Sequence, residues 1–307
     1  MTARRLSAGF CRSLLLLVLC GHGMPSHASD VPYVPTPMNV VDAMLGMGGV
    51  GADDYLVDLG SGDGRISIRA ASRFGTRGMG VDLDDNLVSM ARAAAMQQGV
   101  ADKVVFEARD LFDTDISRAT VVTAYLLNSV NLRLRPQLFA QLRPGIRIVS
   151  HDFGFGNWQP DRKITIDVPD KRYGPPHSDI MLWVMPADFS GVWQWRLPGK
   201  GGELQYELRL GQKFQMLEGT ALVQGRPVRL SEAQVRGGTV QITLIDDNGV
   251  RRYSGQISGN RITGEMASND GGQPVVWQAV RIKTGKMDIS AGATDFIVAG
   301  RLIKEQL

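Results

Sequence analysis

Apolar positions in the first half of the chain fall into two alternating rhythms. Short apolar runs at 55–59, 79–83, 104–106, 120–127, 146–150, 163–168 and 180–185 predict strands, because continuous runs of this length suit strands buried on both faces. Helical patterns lie among them. Val40, Val41, Met44 and Leu45 form one apolar face, with Thr36 as the expected cap and Pro37 as the first helical residue. A second helix spans 64–74 and stops at Gly75. A third spans 85–98, with Leu87, Ala91, Ala94 and Ala95 on one side and Gly99 as its stop, and a fourth is expected over 136–142. Strands alternating with helices predict an α/β fold, with a parallel sheet covered on both faces and ligands at the carboxyl ends of its strands.

The texture changes near Asp188. Short alternating segments at 191–196, 203–210, 214–217, 239–245 and 251–257 are separated by turns such as Asp247-Asn-Gly249 and Gly259-Asn260. This predicts an antiparallel all-β domain over 187–283, either an open sandwich or a small barrel, with Trp193, Trp195 and Trp277 in its core. Residues 284–307 are expected to form a last strand or a tail. The α/β domain is assigned to 29–186.

The first 28 residues read as a signal peptide. Arg4, Arg5 and Arg12 precede a short apolar core at 14–20, and Ser26-His-Ala28 supplies small residues before the cleavage point. The expected location is exported, in a periplasm. An uncleaved membrane anchor, or a cytoplasmic product started at Met24, are the alternatives. Any contact with a membrane would come through an uncleaved N-terminal segment. Both cysteines, Cys11 and Cys20, fall in this leader, so the mature chain has none for disulfides, thiolate catalysis or zinc–cysteine sites. With 43% hydrophobic and 21% charged residues and a formal net charge of +3, the composition is that of a globular protein. It gives no reason to expect a nucleic-acid partner.

The richest chemistry lies in Tyr55-Leu-Val-Asp-Leu-Gly-Ser-Gly-Asp-Gly-Arg65, where an apolar strand runs into a glycine turn. Gly60, Gly62 and Gly64 permit a tight turn and close backbone approach to a ligand. Asp82 lies 22 positions after Gly60, near the spacing at which a carboxylate reaches ribose hydroxyls. A dinucleotide motif would need a third glycine where Arg65 stands, and Asp58 would repel a pyrophosphate. S-adenosylmethionine has no phosphate and carries a cationic amino group and a sulfonium, so it suits the motif. Asp58, Gly60, Ser61, Gly62, Asp63 and Gly64 are assigned to the cofactor's methionine end and Asp82 to its ribose. Asp110 is assigned to the adenine amino group, with Leu111 against the ring; a turn or helix-cap aspartate is the other reading of Asp110.

Three motifs in order strengthen this reading: Pro32-Tyr-Val-Pro-Thr-Pro37, Val57-Asp-Leu-Gly-Ser-Gly-Asp-Gly-Arg65 and Phe155-Gly-Asn-Trp-Gln-Pro-Asp161. Together they resemble class I methyltransferases related to the ATP synthase c-subunit lysine methyltransferase. The resemblance covers about 31–185. It implies a Rossmann-like seven-stranded sheet, S-adenosylmethionine as donor and a protein lysine as acceptor. The C-terminal β domain and the leader lie outside the pattern. On the acceptor side, Tyr125 and Asn128 are placed at the end of the fourth strand. His151, a candidate proton acceptor, and Asp152 follow the fifth. Trp158 would either wall the acceptor pocket or pin its loop to the core. Two other readings stay open: an exported protein that binds an adenosyl ligand without turnover, and a small-molecule methyltransferase.

Overall fold

Seven strands form one mixed sheet: β1 (Tyr55–Leu59), β2 (Arg77–Asp82), β3 (Val104–Ala108), β4 (Val121–Ala124), β5 (Arg147–His151), β6 (Arg162–Asp167) and β7 (His177–Val184). In this computed structural model they lie in the order β3-β2-β1-β4-β5-β7-β6. The described residues are 33–290, except 173, 200, 247–248 and 270–271. The expected leader and residues 291–307 lie outside them. The described residues all fall within one compact unit.

The first five strands are parallel, as the alternation with helices predicts. Of the last two, only β7 departs in direction, since β6 is antiparallel to β7 and so runs parallel to the first five. β7 inserts between β5 and β6 and runs antiparallel to both, because 163–168 and 180–185 are joined by a turn with no helix. Helices α1 (Met38–Met47) and α2 (Arg65–Phe74) bury Val40, Val41, Met44, Leu45, Ile66 and Ala70 against one face. Helix α3 (Asp85–Gln97) packs beside α2 through Val88, Ala91 and Ala95. Helix α4 (Asn128–Gln141) buries Val130, Leu134 and Leu138 on the other core cluster. β1 has β2 on one side and β4 on the other. Strand order therefore reverses at β1, and the carboxyl end of such a switch point is where open α/β sheets take their ligands.

Two helix starts differ from expectation. α4 begins at Asn128 rather than Pro136, with Pro136 inside it. A proline there removes one backbone hydrogen bond, and the turn is held instead by the buried Asn131, Leu134, Arg135 and Leu138. At α1 the N-cap is Pro37, with no side-chain cap. Thr36 is buried and faces His151.

Beyond Asp188, eight consecutive antiparallel strands close into a barrel, which resolves the choice between sandwich and barrel. They are β8 (Gly191–Gly199), β9 (Gly202–Lys213), β10 (Met216–Val223), β11 (Arg226–Arg236), β12 (Thr239–Asp246), β13 (Gly249–Ser258), β14 (Arg261–Ser268) and β15 (Val275–Thr284), with β15 pairing β8. Trp193, Trp195, Tyr206, Tyr253 and Trp277 are all buried within it. Ring centroids of Trp195 lie 5.0 Å from Tyr206, 5.3 Å from Tyr253 and 5.2 Å from Trp277. Rings this close touch, so this layer of the barrel is packed core. After β15, Asp288 makes a single bridge with Lys213.

Candidate functional site

The carboxyl end of β1 turns through Gly60, Gly62 and Gly64, with φ of 73°, 53° and 78°. These are left-handed values that disfavour any residue with a Cβ. Space gives a second reason. A Cβ at Gly62 would lie 2.6 Å from the Tyr33 ring, and one at Gly64 2.6 Å from Phe106. The N–H groups of Gly60 and Ser61 both donate to Val81 O, at 2.9 Å. Gly62 N donates to Asp82 Oδ2 at 2.8 Å and Asp84 N to Asp82 Oδ1 at 3.0 Å. Asp82 is thereby fixed at the end of β2, and each oxygen keeps a further lone pair.

Asp58 sits below the turn, 1% exposed. Its Oδ1 accepts from Thr123 Oγ1 at 2.7 Å, and its Oδ2 is buried with no partner. Burial pushes its pKa up to about 7; the Thr123 bond opposes the rise, and the charges of Asp82 and Asp63 add to it. Asp63 is part-buried and pairs with Arg65 at 2.5 Å. Burial works against that carboxylate, but the Arg65 bonds prevail and hold it below its ordinary value. Arg65 also donates to Thr36 O at 2.8 Å, which ties the entry segment to the turn. Asp110 caps a short 3-10 turn over Leu111–Asp113, with Phe112 N donating to Oδ1 at 2.8 Å. The cap reading of Asp110 is therefore realised, and its other oxygen makes no described bond.

A second group of residues sits beside the first, because β4 pairs with β1 and β5 pairs with β4. Tyr125 follows β4, and its ring stacks on His151 at 3.9 Å and lies 5.9 Å from Phe153. Burial, with some help from Asp152, pushes the Tyr125 hydroxyl up to about 12, so it stays protonated. His151 is fully buried, with Nδ1 3.4 Å from Thr36 Oγ1 and Nε2 2.9 Å from Ser178 Oγ. That environment is a correction to its reading as a proton acceptor open to substrate: both ring nitrogens face protein partners. Asp152 has φ 58° and binds Lys171 Nζ at 2.6 Å and Asp179 N at 2.9 Å. Burial raises its pKa, but bonds from His151 and Lys171 outweigh that and hold it at about 2.

Asn128 opens α4 instead of ending β4. Trp158 is 1% exposed and packs against Phe139, Phe155, Trp183 and Phe214. It pins its loop to the core. Sequence reasoning missed Asn131, which is fully buried and donates to the carbonyls of Leu126, Phe153 and Gly154. The polar residues around it in α4, among them Ser129, Arg133 and Gln137, gave no signal that set it apart. Leu83, 51% exposed beside Asp82, also went unremarked; an exposed leucine at a strand end suits the flat face of a base.

This sheet order with a glycine turn at the switch point, an orphaned buried carboxylate beneath it and a fixed aspartate on the next strand defines a class I S-adenosylmethionine-dependent methyltransferase. The residues fit that cofactor. A cation answers Asp58, the three glycines of the turn carry no Cβ, and Asp82 has acceptors to spare. Residues 58–162 match the family model of the ANTKMT methyltransferase domain. The chain is 43% identical over 143 residues to a protein-lysine N-methyltransferase of Saccharolobus islandicus, covering 46% of this chain and 89% of that protein. It is 37% identical over 132 residues to the adenine nucleotide translocase lysine N-methyltransferase of Mus musculus, covering 43% of this chain and 57% of the relative. A solved structure of an RNA methyltransferase from Salinibacter ruber with S-adenosyl-L-homocysteine is 52% identical, covering 51% of this chain and 96% of that one, with a TM-score of 0.46. The chain belongs to the protein-lysine N-methyltransferase family that the archaeal protein represents. It spans little more than half of the mouse relative, and the family-model match ends at residue 162, before the barrel.

Proposed function

We propose that this chain transfers a methyl group from S-adenosylmethionine to the side-chain amine of a protein lysine. The observation that carries the reading is the 43% identity to a protein-lysine N-methyltransferase spanned over 89% of its length. The side-by-side placement of the glycine turn and the Tyr125 pole at the ends of paired strands supports it. When bound, the cofactor supplies an electrophilic methyl group on a sulfonium. The chain's own residues position, orient and exclude water. Asp58 and Asp82 hold the donor's cationic and ribose ends, and the glycines bring backbone close. Tyr125, braced by the stacked rings of His151 and Phe153, forms the wall against which an amine is held.

The attacking amine must be neutral. Asp152 is ionised but committed to Lys171, and the Tyr125 hydroxyl stays protonated, so neither is a base in this arrangement. Desolvation at the acceptor side instead lowers the lysine's own pKa; its proton would leave to water, and methyl transfer would leave S-adenosylhomocysteine. The proposed acceptor role of Asn128 is to accept a hydrogen bond from that amine at the start of α4. We place the mature chain outside the cytoplasm on the strength of its leader; fractionation of cells expressing the tagged chain tests this, and a full-length cytoplasmic product would refute it.

Incubation of residues 29–307 with radiolabelled S-adenosylmethionine and poly-L-lysine, followed by amino-acid analysis, tests the reaction. Methyl-lysine is the expected product. Tight cofactor binding with no transfer to any protein or amine would favour a non-catalytic adenosyl-binding protein.

A further inference from the structure

The hairpin between β9 and β10 does not end in solvent. At its tip Phe214 has φ 52°, a left-handed value that is uncommon for a bulky residue. Its N–H donates to Asp288 O at 3.2 Å. Its carbonyl accepts from Gln212 Nε2 at 2.7 Å, and the same amide donates to Ala187 O at 2.8 Å. Held this way, the Phe214 ring enters the core of the sheet domain rather than the barrel's own. It stacks on Trp158 at 5.8 Å and meets Phe139 at 6.0 Å.

The guanidinium carbon of Arg135, on α4, lies 5.1 Å from the Phe214 ring centroid. Arg135 Nη1 donates to Phe155 O at 3.0 Å and to Asn157 Oδ1 at 2.7 Å. One helical turn earlier, Asn131 Nδ2 donates to Phe153 O at 3.1 Å and Gly154 O at 3.2 Å. From the barrel side, Gln215 Nε2 donates to Gln159 O at 2.6 Å, and Asn157 Nδ2 donates to Ser290 O at 3.1 Å. The segment 153–159 is thus clamped between α4 and the barrel. It carries Phe153, which flanks Tyr125. The hydrogen bonds described for the glycine turn, by contrast, all stay within the sheet domain.

We infer that Phe214 and Arg135 are positioning residues for methyl transfer: the barrel hairpin orients Arg135, Arg135 fixes segment 153–157, and that segment sets the Phe153–Tyr125 wall. The barrel is then the outer support of the acceptor side and is not a separate module beside an independent enzyme. This rests on the reading of the Tyr125 pole given above.

Phe214→Ala and, as a variant that removes no core volume, Asn157→Ala test the inference in residues 29–307. Amide hydrogen exchange read over 125–131 and 153–159 should accelerate about tenfold or more in both, while amides over 58–68 stay unchanged. The dissociation constant for S-adenosylhomocysteine should stay within about twofold of the parent. With poly-L-lysine as acceptor, kcat should fall about tenfold or more, because small misplacements near a reacting centre have large effects. Restoring the ring with Phe214→Tyr should recover most of that loss. Exchange that accelerates equally everywhere, or cofactor affinity that falls in step with turnover, would reduce Phe214 to a stabilising contact and overturn the inference. Unchanged exchange over 153–159 would overturn it too. If the parent protein does not methylate poly-L-lysine, the lysine reading fails, and the exchange data still judge the coupling.

Discussion

Asp58 gives the sharpest handle on the donor site, because its ionisation opposes folding and serves binding. In the unfolded chain it titrates at its ordinary value of 3.8, and in the fold at about 7. Between these values the folded state holds a proton that the unfolded state has lost, so stability falls as pH rises from about 4 to about 7 and is flat above. At about 1.4 kcal/mol per pH unit, the full displacement is worth about 4 kcal/mol, an upper figure for a buried group. Asp58→Asn keeps an oxygen for Thr123 and removes the titration. Urea unfolding of cofactor-free residues 29–307 at pH 5 and pH 8, for parent and variant, isolates the effect. The parent should lose ground relative to the variant by a few kcal/mol across that interval. Saturating S-adenosylhomocysteine should reverse the order at pH 8, because a cation beside Asp58 favours its ionised form. A parent–variant difference that does not change with pH would refute the assignment of a raised, unpartnered carboxyl beneath the turn.

Three further outcomes follow from the same geometry. Gly64→Ala places a Cβ 2.6 Å from Phe106 and 2.8 Å from Ala91 at φ 78°; it should cost about 2–4 kcal/mol by denaturant unfolding and weaken cofactor binding, and a neutral effect would contradict the turn geometry. Tyr125→Ala should lower turnover about tenfold or more while cofactor affinity changes less than about twofold, with Tyr125→Phe retaining most activity; loss of cofactor binding in Tyr125→Ala would move that residue to the donor side. Asp152, held at about 2 against an ordinary 3.8, contributes stability that is present above pH 3.8 and lost as pH falls through 2. Asp152→Asn should therefore cost about 2–3 kcal/mol at neutral pH, with the gap closing toward pH 2; a gap of the same size at pH 2 and pH 7 would contradict this.

Much of the donor half was readable because its chemistry is local. Strand, glycine turn, helix and the aspartate ending β2 follow one another within 28 residues, and each constraint acts on its own residue. The acceptor half depends on contacts between distant segments. Thr36 meets His151 across 115 residues, and no periodicity announces that pairing. A proline at 136 resembles a helix start, so the pattern leaves the first two turns of α4 unassigned between the strand at 120–127 and the helix expected from 136. In the barrel, β11, β14 and β15 escaped notice for physical reasons. The ladder of β11 shifts register between Leu230 and Glu232, which breaks its alternation. Gly264 supplies no side chain on β14. On β15 the outward Val276, Val280 and Ile282 are exposed, so apolar residues occupy both faces. Phe214 was unreadable in principle: its sequence neighbours belong to the barrel, while its ring belongs to the other core.

The central claim is that the glycine turn with Asp58 and Asp82 binds S-adenosylmethionine. Calorimetric titration of residues 29–307 with S-adenosylmethionine and S-adenosylhomocysteine, beside Asp82→Ala, tests it most directly. The account predicts binding at about micromolar concentration that is lost or greatly weakened in the variant while the protein stays folded. A well-folded parent that binds neither compound would contradict it.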